Sequence, residues 1–201
     1  MSDASSFPIG APMAKSRYLL LPLLLLAPAC ERQEPVANQI ATDAFGPVKG
    51  VDRSHRGTAA PDVAFHDPDG AEISLADFDG VPVVVNLWAT WCAPCVKELP
   101  TLNALSKQHA TDGALGVIAV SQDMGSQNSV RAFLEQLKVD DLGAYHDPKM
   151  ALSGALGAEV LPTTILYDRK GREVWRYVGD LDWTSAEASS LLAEARAAAP
   201  R

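Results

Sequence analysis

The chain has 201 residues, of which 17 are lysine or arginine and 25 are aspartate or glutamate, so its formal net charge is −8. This acidic balance argues against a nucleic-acid-binding protein, which would present a basic face to the phosphates. The length, and the 47% share of hydrophobic residues, are typical of one globular domain with a leader and exclude a disordered chain.

Residues 1–30 have the pattern of a secretory leader. Lys15 and Arg17 precede an apolar run that ends in small residues of the form Ala-x-Ala. The run is too short for a comfortable transmembrane helix, and a proline interrupts it. Translation from Met13 would give an ordinary signal peptide, so we predict that the residues before Met13 are not needed for export.

Cys30 follows these small residues directly and precedes a polar segment. This order resembles a bacterial lipoprotein signal, in which the cysteine is lipidated and becomes the mature N-terminus. Ala27 stands where leucine is usual in that family, and Pro28 is unusual there. Three outcomes stay open: lipidation of Cys30, ordinary cleavage after Ala29, and an uncleaved anchor.

The rest of the chain divides into a predicted flexible tether over residues 31–57 and a predicted domain over residues 58–201. The tether is rich in proline, glycine, alanine and charge, with no sustained period. The domain opens with a strand–turn–strand pattern over 61–75, whose turn is Asp-Pro-Asp-Gly at 67–70. The near-continuous apolar run Val83–Trp88 predicts a strand buried on both faces.

Helices and strands alternate after this strand. The order βαβα, then a β-hairpin, then α predicts helices on both faces of one mixed sheet. In chain order, the further predicted elements are a helix to about residue 109, a strand over 115–120, a helix over 126–137 capped by Ser126, a loop over 145–148, a short helix over 150–156, a strand over 163–167, a turn over 168–171, a strand over 173–178 and a helix over 184–199.

Cys92 and Cys95 stand two residues apart, between the predicted central strand and the helix. The N–H groups and the positive dipole end of a helix N-terminus favour the thiolate of Cys92, the attacking species in thiol–disulfide exchange. Pro94 suits the first helical turn, where its missing N–H costs little. A zinc site would need a second ligand pair, but Cys30 is the only other cysteine and the histidines stand singly.

Residues 84–95, followed by Glu-Leu-Pro at 98–100, resemble the TlpA/ResA-like branch of the thioredoxin superfamily. The resemblance covers about residues 58–198. It implies an α/β, thioredoxin-like fold, with a mixed central sheet flanked by helices and an N-terminal β-hairpin extension. It also implies a protein-disulfide reductase in the periplasm or at the outer membrane surface. Three shorter segments fit the same branch: Ala-Pro-Asp at 60–62, Asp-Gly at 69–70 and Leu-Pro-Thr-Thr at 161–164.

The resemblance implies roles for individual residues. Cys92 would be the exposed nucleophile that attacks a substrate disulfide, and the more buried Cys95 would resolve the mixed disulfide. Pro162 matches the family's cis-proline, whose backbone would pair with an extended substrate; the alternative is an ordinary trans proline.

Glu98 matches a functional acid of that family and lies one helical turn after Cys95. A carboxylate partly buried beside a thiol has a raised pKa and can shuttle the thiol's proton; the alternative is a solvated glutamate. Thioredoxin proper has a buried aspartate where this chain has Asn86, so proton transfer would depend on Glu98. The predicted substrate-binding residues are Trp91, Ala93, Pro94, Leu161 and Pro162.

Three other functions compete with the reductase. A DsbA-type disulfide oxidase uses a different dipeptide between the cysteines and carries an inserted helical domain. A peroxiredoxin-like peroxidase needs Thr-x-x-Cys, but Thr90 stands only two residues before Cys92. A Sco-type copper carrier would need a histidine near the cysteines, for which His146 is the candidate, and usually a longer gap between them.

No cofactor and no resident metal are predicted. The expected partners are disulfide-bearing exported proteins, such as apocytochrome c or copper-site proteins, and an integral membrane electron donor of the DsbD/CcdA type. The lipid anchor would attach the protein to the membrane. We expect a monomer that binds no nucleic acid.

Overall fold

In the computed structural model, which describes residues 49–111 and 113–197, the chain folds around one eight-stranded mixed sheet. The predicted leader with Cys30, and the predicted tether as far as residue 48, lie outside the described residues. Among the helices within those two ranges, none has the length and apolar character needed to cross a bilayer.

The sheet has the order β1-β8-β7-β4-β5-β6-β2-β3, with β4 parallel to β5 and antiparallel to β7. The strands are β1 (Gly50–Asp52), β2 (Phe65–His66), β3 (Glu72–Ile73), β4 (Val83–Trp88), β5 (Gly116–Ser121), β6 (Tyr145–His146), β7 (Thr163–Tyr167) and β8 (Glu173–Val178). The helices are α1 (Ala93–His109), α2 (Gln127–Leu137), α3 (Ala151–Leu156) and α4 (Ala186–Ala197), with 3₁₀ turns at Leu75–Phe78 and Asp140–Leu142.

All six residues of β4 are buried because helices cover both faces of the sheet. Successive side chains of a strand point to opposite faces. Val83, Val85 and Leu87 therefore pack into a core that includes α3. Val84 and Trp88 pack into a second core with α1, α2 and α4, and Asn86 is buried on that same face by its position in the strand.

The predicted mixed sheet, its flanking helices and the N-terminal hairpin of β2 and β3 are all present. The CxxC helix ends at His109 as predicted, and the Ser126 hydroxyl accepts a hydrogen bond from the Ser129 N–H (3.2 Å) at the start of α2. The last helix begins at Ala186, two residues later than predicted.

The loop predicted over 145–148 is wrong, because Tyr145 and His146 form β6, parallel to β5. A strand of two residues is too short to show the alternating pattern by which strands are recognised. His146 also pairs with His66 of β2, so this short strand attaches the N-terminal hairpin to the sheet.

The segment predicted as a tether extends too far towards the domain. Strand β1 lies within it and pairs antiparallel with β8, with Gly50 opposite Val178. Further along, the Gly57 N–H donates to the Glu173 carbonyl (2.7 Å), and the Glu173 N–H donates to the Thr58 carbonyl (2.9 Å). Backbone hydrogen bonds hold this edge, and they require no apolar side-chain pattern, so the pairing left no periodic signal in the sequence.

Candidate active site

The two cysteines lie where the central strand passes into α1. Cys92 is the N-cap residue of the helix, and it forms a disulfide with Cys95 with the Cα atoms 5.3 Å apart. The Cys95 backbone N–H donates to the Cys92 sulfur (3.3 Å), and Pro94 occupies the first turn. An N–H donor and the helix N-terminus both favour negative charge on Cys92 once the disulfide is reduced.

The two sulfurs differ in access to solvent. Cys92 keeps 6% of its surface exposed and Cys95 keeps none. Cys92, predicted to be exposed, is thus buried in the disulfide form, although it keeps more surface than Cys95. The N-cap position holds the Cys92 side chain against the first helical turn. Trp91 is 70% exposed, and Ala93 and Pro94 are exposed as well, so the surface beside the disulfide is apolar.

Pro162 lies beside the end of β4, because the next residue, Thr163, pairs with Leu87. The Leu161–Pro162 peptide bond is cis, as the resemblance implies. The Pro162 carbonyl accepts a hydrogen bond from the Gly179 N–H (2.8 Å), whereas the Leu161 backbone makes no hydrogen bond to any residue that the structure describes. Pairing with an extended substrate would thus depend on Leu161 and not on the Pro162 carbonyl.

Glu98 is buried one turn beyond Cys95, with 3% of its surface exposed. One carboxylate oxygen accepts from the Asn86 side-chain amide (2.8 Å). The other accepts from the Leu181 backbone N–H (2.9 Å) and from the Trp183 indole N–H (3.2 Å). The alternative of a solvated glutamate is therefore wrong.

Burial raises the pKa of Glu98 from its ordinary 4.5 to about 7. The hydrogen bonds from Leu181, Asn86 and Trp183 favour the carboxylate and lower the pKa, and the nearby negative charge of Asp180 raises it. Desolvation outweighs the hydrogen bonds, so this side chain can gain and lose a proton near neutral pH. That property is required of a group that exchanges a proton with a buried thiol.

Asn86 links Glu98 to the neighbouring strand. Its side-chain amide nitrogen donates to Glu98 and also to the Thr164 hydroxyl (2.8 Å). Its own carbonyl oxygen is buried without a hydrogen-bond partner among the described residues. Sequence reasoning identified Asn86 only as a contrast with thioredoxin, and it missed Leu181 and Trp183, which stand more than 80 positions after Glu98 and carry no local signal.

A second group of polar contacts joins the loops around the cysteines. The Asp123 carboxylate accepts from the Thr90 N–H (3.0 Å), the Thr90 hydroxyl (2.7 Å) and the Ser121 hydroxyl (2.7 Å). His146, the candidate copper ligand, has its Nε2 2.7 Å from the Asp123 carbonyl oxygen. Over residues 49–111 and 113–197, no three His, Cys, Asp or Glu side chains are grouped so as to hold a metal ion.

Proteins that are similar to this chain are named for thiol–disulfide chemistry, which is the chemistry that the two cysteines and Glu98 allow. The family model for Redoxin matches residues 55–193. The thiol-disulfide oxidoreductase ResA of Bacillus thuringiensis (strain Al Hakam) is 33% identical over 124 residues, which cover 62% of this chain and 70% of that protein. ResA of Bacillus subtilis (strain 168) is 31% identical over 126 residues, covering 62% and 68%.

Among solved structures, the chain is similar to one named thiol:disulfide interchange protein DsbE, from Chlorobium tepidum. The TM-score is 0.62 at 28% sequence identity, and the match covers 70% of this chain and 96% of that chain. This likeness, together with the mixed sheet and its flanking helices, confirms the predicted thioredoxin-like fold.

Proposed function

The chain belongs to the Redoxin family as a ResA/TlpA-like thiol-disulfide oxidoreductase of the thioredoxin superfamily, and on this basis we propose that it reduces disulfides in exported proteins. The observation that carries the proposal is the buried Glu98, with a pKa of about 7, one helical turn behind the fully buried Cys95. An attacking thiol needs only the helix N-terminus, but a buried resolving thiol needs a group that takes its proton.

The first step uses Cys92. In the reduced protein, the Cys92 thiolate attacks one sulfur of a substrate disulfide. The substrate S–S bond breaks, a mixed disulfide between Cys92 and the substrate forms, and the other substrate sulfur leaves as a thiolate. The N-cap position supports this step because the Cys95 N–H already points at the Cys92 sulfur.

The second step uses Cys95 and Glu98. The Cys95 thiol passes its proton to the Glu98 carboxylate, and the resulting thiolate attacks the Cys92 sulfur. The mixed disulfide breaks, the Cys92–Cys95 disulfide forms, and the second substrate sulfur leaves as a thiolate. Two electrons have then moved from the dithiol to the substrate. An external dithiol must return them, and the proposed donor is an integral membrane protein of the DsbD/CcdA type.

The substrate class and the location are part of the same proposal. Substrates would be exported proteins with oxidised cysteines, such as apocytochrome c or copper-site proteins. The protein would act as a monomer in the periplasm, held at a membrane by a lipid on Cys30. An oxidising compartment keeps dithiols as disulfides, so a reductase there depends on its electron donor.

The midpoint potential of the Cys92/Cys95 pair decides between the reductase and the DsbA-type oxidase. We expect a value near that of thioredoxin, about −270 mV, and far from that of DsbA, about −120 mV. A low potential means that the reduced dithiol gives electrons to most substrate disulfides. Equilibration in thiol redox buffers, with the two forms separated by mass, measures it. A value near the DsbA end would contradict the reductase and favour the oxidase.

Lipidation of Cys30 is tested separately in a bacterial host. We expect the wild-type chain to sediment with membranes and to incorporate labelled palmitate, and the Cys30→Ser variant to do neither. Two or more acyl chains anchor a protein stably, whereas a chain with a net charge of −8 gains no overall attraction to an anionic membrane. Wild-type protein that is soluble in the periplasm would instead support ordinary cleavage after Ala29.

A further inference from the structure

Four large apolar side chains are exposed within the described ranges, and three of them come shortly after the parallel strands β4, β5 and β6. Trp91 is 70% exposed, Met124 is 80% exposed and Met150 is 43% exposed. The fourth, Val51, lies on the edge strand β1. We call Trp91, Met124 and Met150 the apolar rim.

The sheet register places the apolar rim on one edge. Trp88, Ser121 and His146 form one row across β4, β5 and β6. Trp91 and Met124 each come three residues after this row, and Met150 comes four residues after it. Because the three strands are parallel, their carboxyl ends share the edge from which the CxxC loop also starts.

Hydrogen bonds join the three loops that carry the rim. Asp123 receives the Thr90 N–H and hydroxyl, which connects the loop of Met124 to the loop of Trp91. The His146 ring contacts the Asp123 carbonyl, and the Asp147 N–H donates to the Ser121 carbonyl (2.8 Å), which connects the loop of Met150. These hydrogen bonds therefore fix the backbone of the three loops relative to one another.

Exposed apolar side chains grouped in one place mark a binding surface more often than the same residues scattered singly. Ala93 and Pro94 in the first turn of α1, and Gly125 in the loop of Met124, are also exposed and carry no charge, and Lys149 supplies an exposed cation at one side. This surface is apolar although the chain as a whole carries a net charge of −8. It suits apolar polypeptide side chains and offers little to a small, charged disulfide.

We infer that the apolar rim binds apolar side chains that flank the disulfide of a polypeptide substrate, and that Met124 and Met150 determine this preference. The inference rests on the proposed function, since the bound disulfide must be one that Cys92 can attack. Methionine side chains are flexible and polarisable, so they adapt to partners of different shape. Burying them against apolar residues of a substrate stabilises the encounter that precedes attack.

Two synthetic peptides test the inference with the full-length, reduced protein. Both contain the same intramolecular Cys-x-x-Cys disulfide; one has leucine and phenylalanine beside the cysteines, and the other has serine and threonine there. The rate constants for oxidation of the protein are measured by acid quenching and mass spectrometry. We expect the apolar peptide to react about tenfold faster with wild type, and the ratio to fall close to one in the Met124→Gln/Met150→Gln double variant.

The matched control is Val51→Thr, which makes an exposed apolar residue polar on the edge strand β1, and its ratio should equal that of wild type. A wild-type ratio of one, or an unchanged ratio in the double variant, would overturn the inference while leaving the reductase intact. Failure of reduced wild type to react with either peptide would overturn the reductase as well. A wild-type dimer, seen by sedimentation velocity and lost in the double variant, would show that a second copy occupies the rim and would also overturn it.

Discussion

Replacement of Cys95 by serine is expected to trap the substrate on Cys92. The first step needs only the Cys92 thiolate, so the mixed disulfide forms, but without the second sulfur no internal thiolate can break it. Turnover of a disulfide peptide should fall by at least about a thousandfold, while the covalent adduct accumulates to one per protein. Mass spectrometry under non-reducing conditions detects the adduct, and dithiothreitol should release it.

The Cys92→Ser variant is the matched comparison. Cys95 has no exposed surface, so it should not attack substrate in place of Cys92, and no adduct is expected. An adduct on Cys95 in the Cys92→Ser variant, with none on Cys92 in the Cys95→Ser variant, would reverse the proposed roles. Equal trapping by both variants would show that either sulfur can attack substrate, which contradicts the assignment of Cys92 as the nucleophile.

The Glu98→Gln substitution is expected to remove a large part of the pH dependence of stability. The pKa of Glu98 is about 7 in the folded protein and about 4.5 for an ordinary glutamate, so the folded state binds more protons than the unfolded state between these values. The free energy of unfolding therefore falls as the pH rises through this window. Between pH 5 and pH 8.5 this loss amounts to roughly 2–3 kcal/mol in wild type, and the glutamine variant, whose side chain does not ionise, does not undergo it.

Glutamine can occupy the site and keep most of the hydrogen bonds that the carboxylate accepts. Its carbonyl can accept from the Leu181 and Trp183 N–H groups, as the carboxylate does. Its amide can donate to the Asn86 carbonyl oxygen if the Asn86 amide turns over, and the Thr164 hydroxyl can donate to the same oxygen. The Asn86 amide nitrogen then takes the buried position in which the oxygen has no partner, a cost that is the same at pH 5 and pH 8.5. The variant should therefore fold.

Urea unfolding of the oxidised protein at pH 5 and pH 8.5 measures the effect, with the exposed Glu135→Gln on α2 as control. Wild type and Glu135→Gln should lose stability in parallel between the two values, and Glu98→Gln should lose roughly 2–3 kcal/mol less. Parallel curves for all three proteins would show that Glu98 is already charged at pH 5. In the reduced variant, resolution of the mixed disulfide should slow roughly a hundredfold, because Cys95 loses its proton acceptor.

Much of the fold followed from local pattern. The run Val83–Trp88, the helical spacing after Cys95 and the cap at Ser126 each predicted the element that is present. Elements without such a pattern were missed. Strands β1 and β6 have three and two residues, and pairing with neighbours, rather than their own composition, makes them strands.

The sequence by itself determined the thiol–disulfide chemistry of the protein. Two cysteines two residues apart at a helix N-terminus form a reactive disulfide with the help of neighbouring residues alone, so the motif can be recognised locally. The motif also gave the family, and with it the expected positions of Pro162 and Glu98. The burial and the raised pKa of Glu98 were decided by the tertiary structure alone. Its three nitrogen donors come from β4 and from the turn before α4, and its burial depends on those elements closing over α1. The same holds for the apolar rim, because its residues are 26 or more positions apart and come to one side of the molecule only when parallel strands end at the same edge of the sheet.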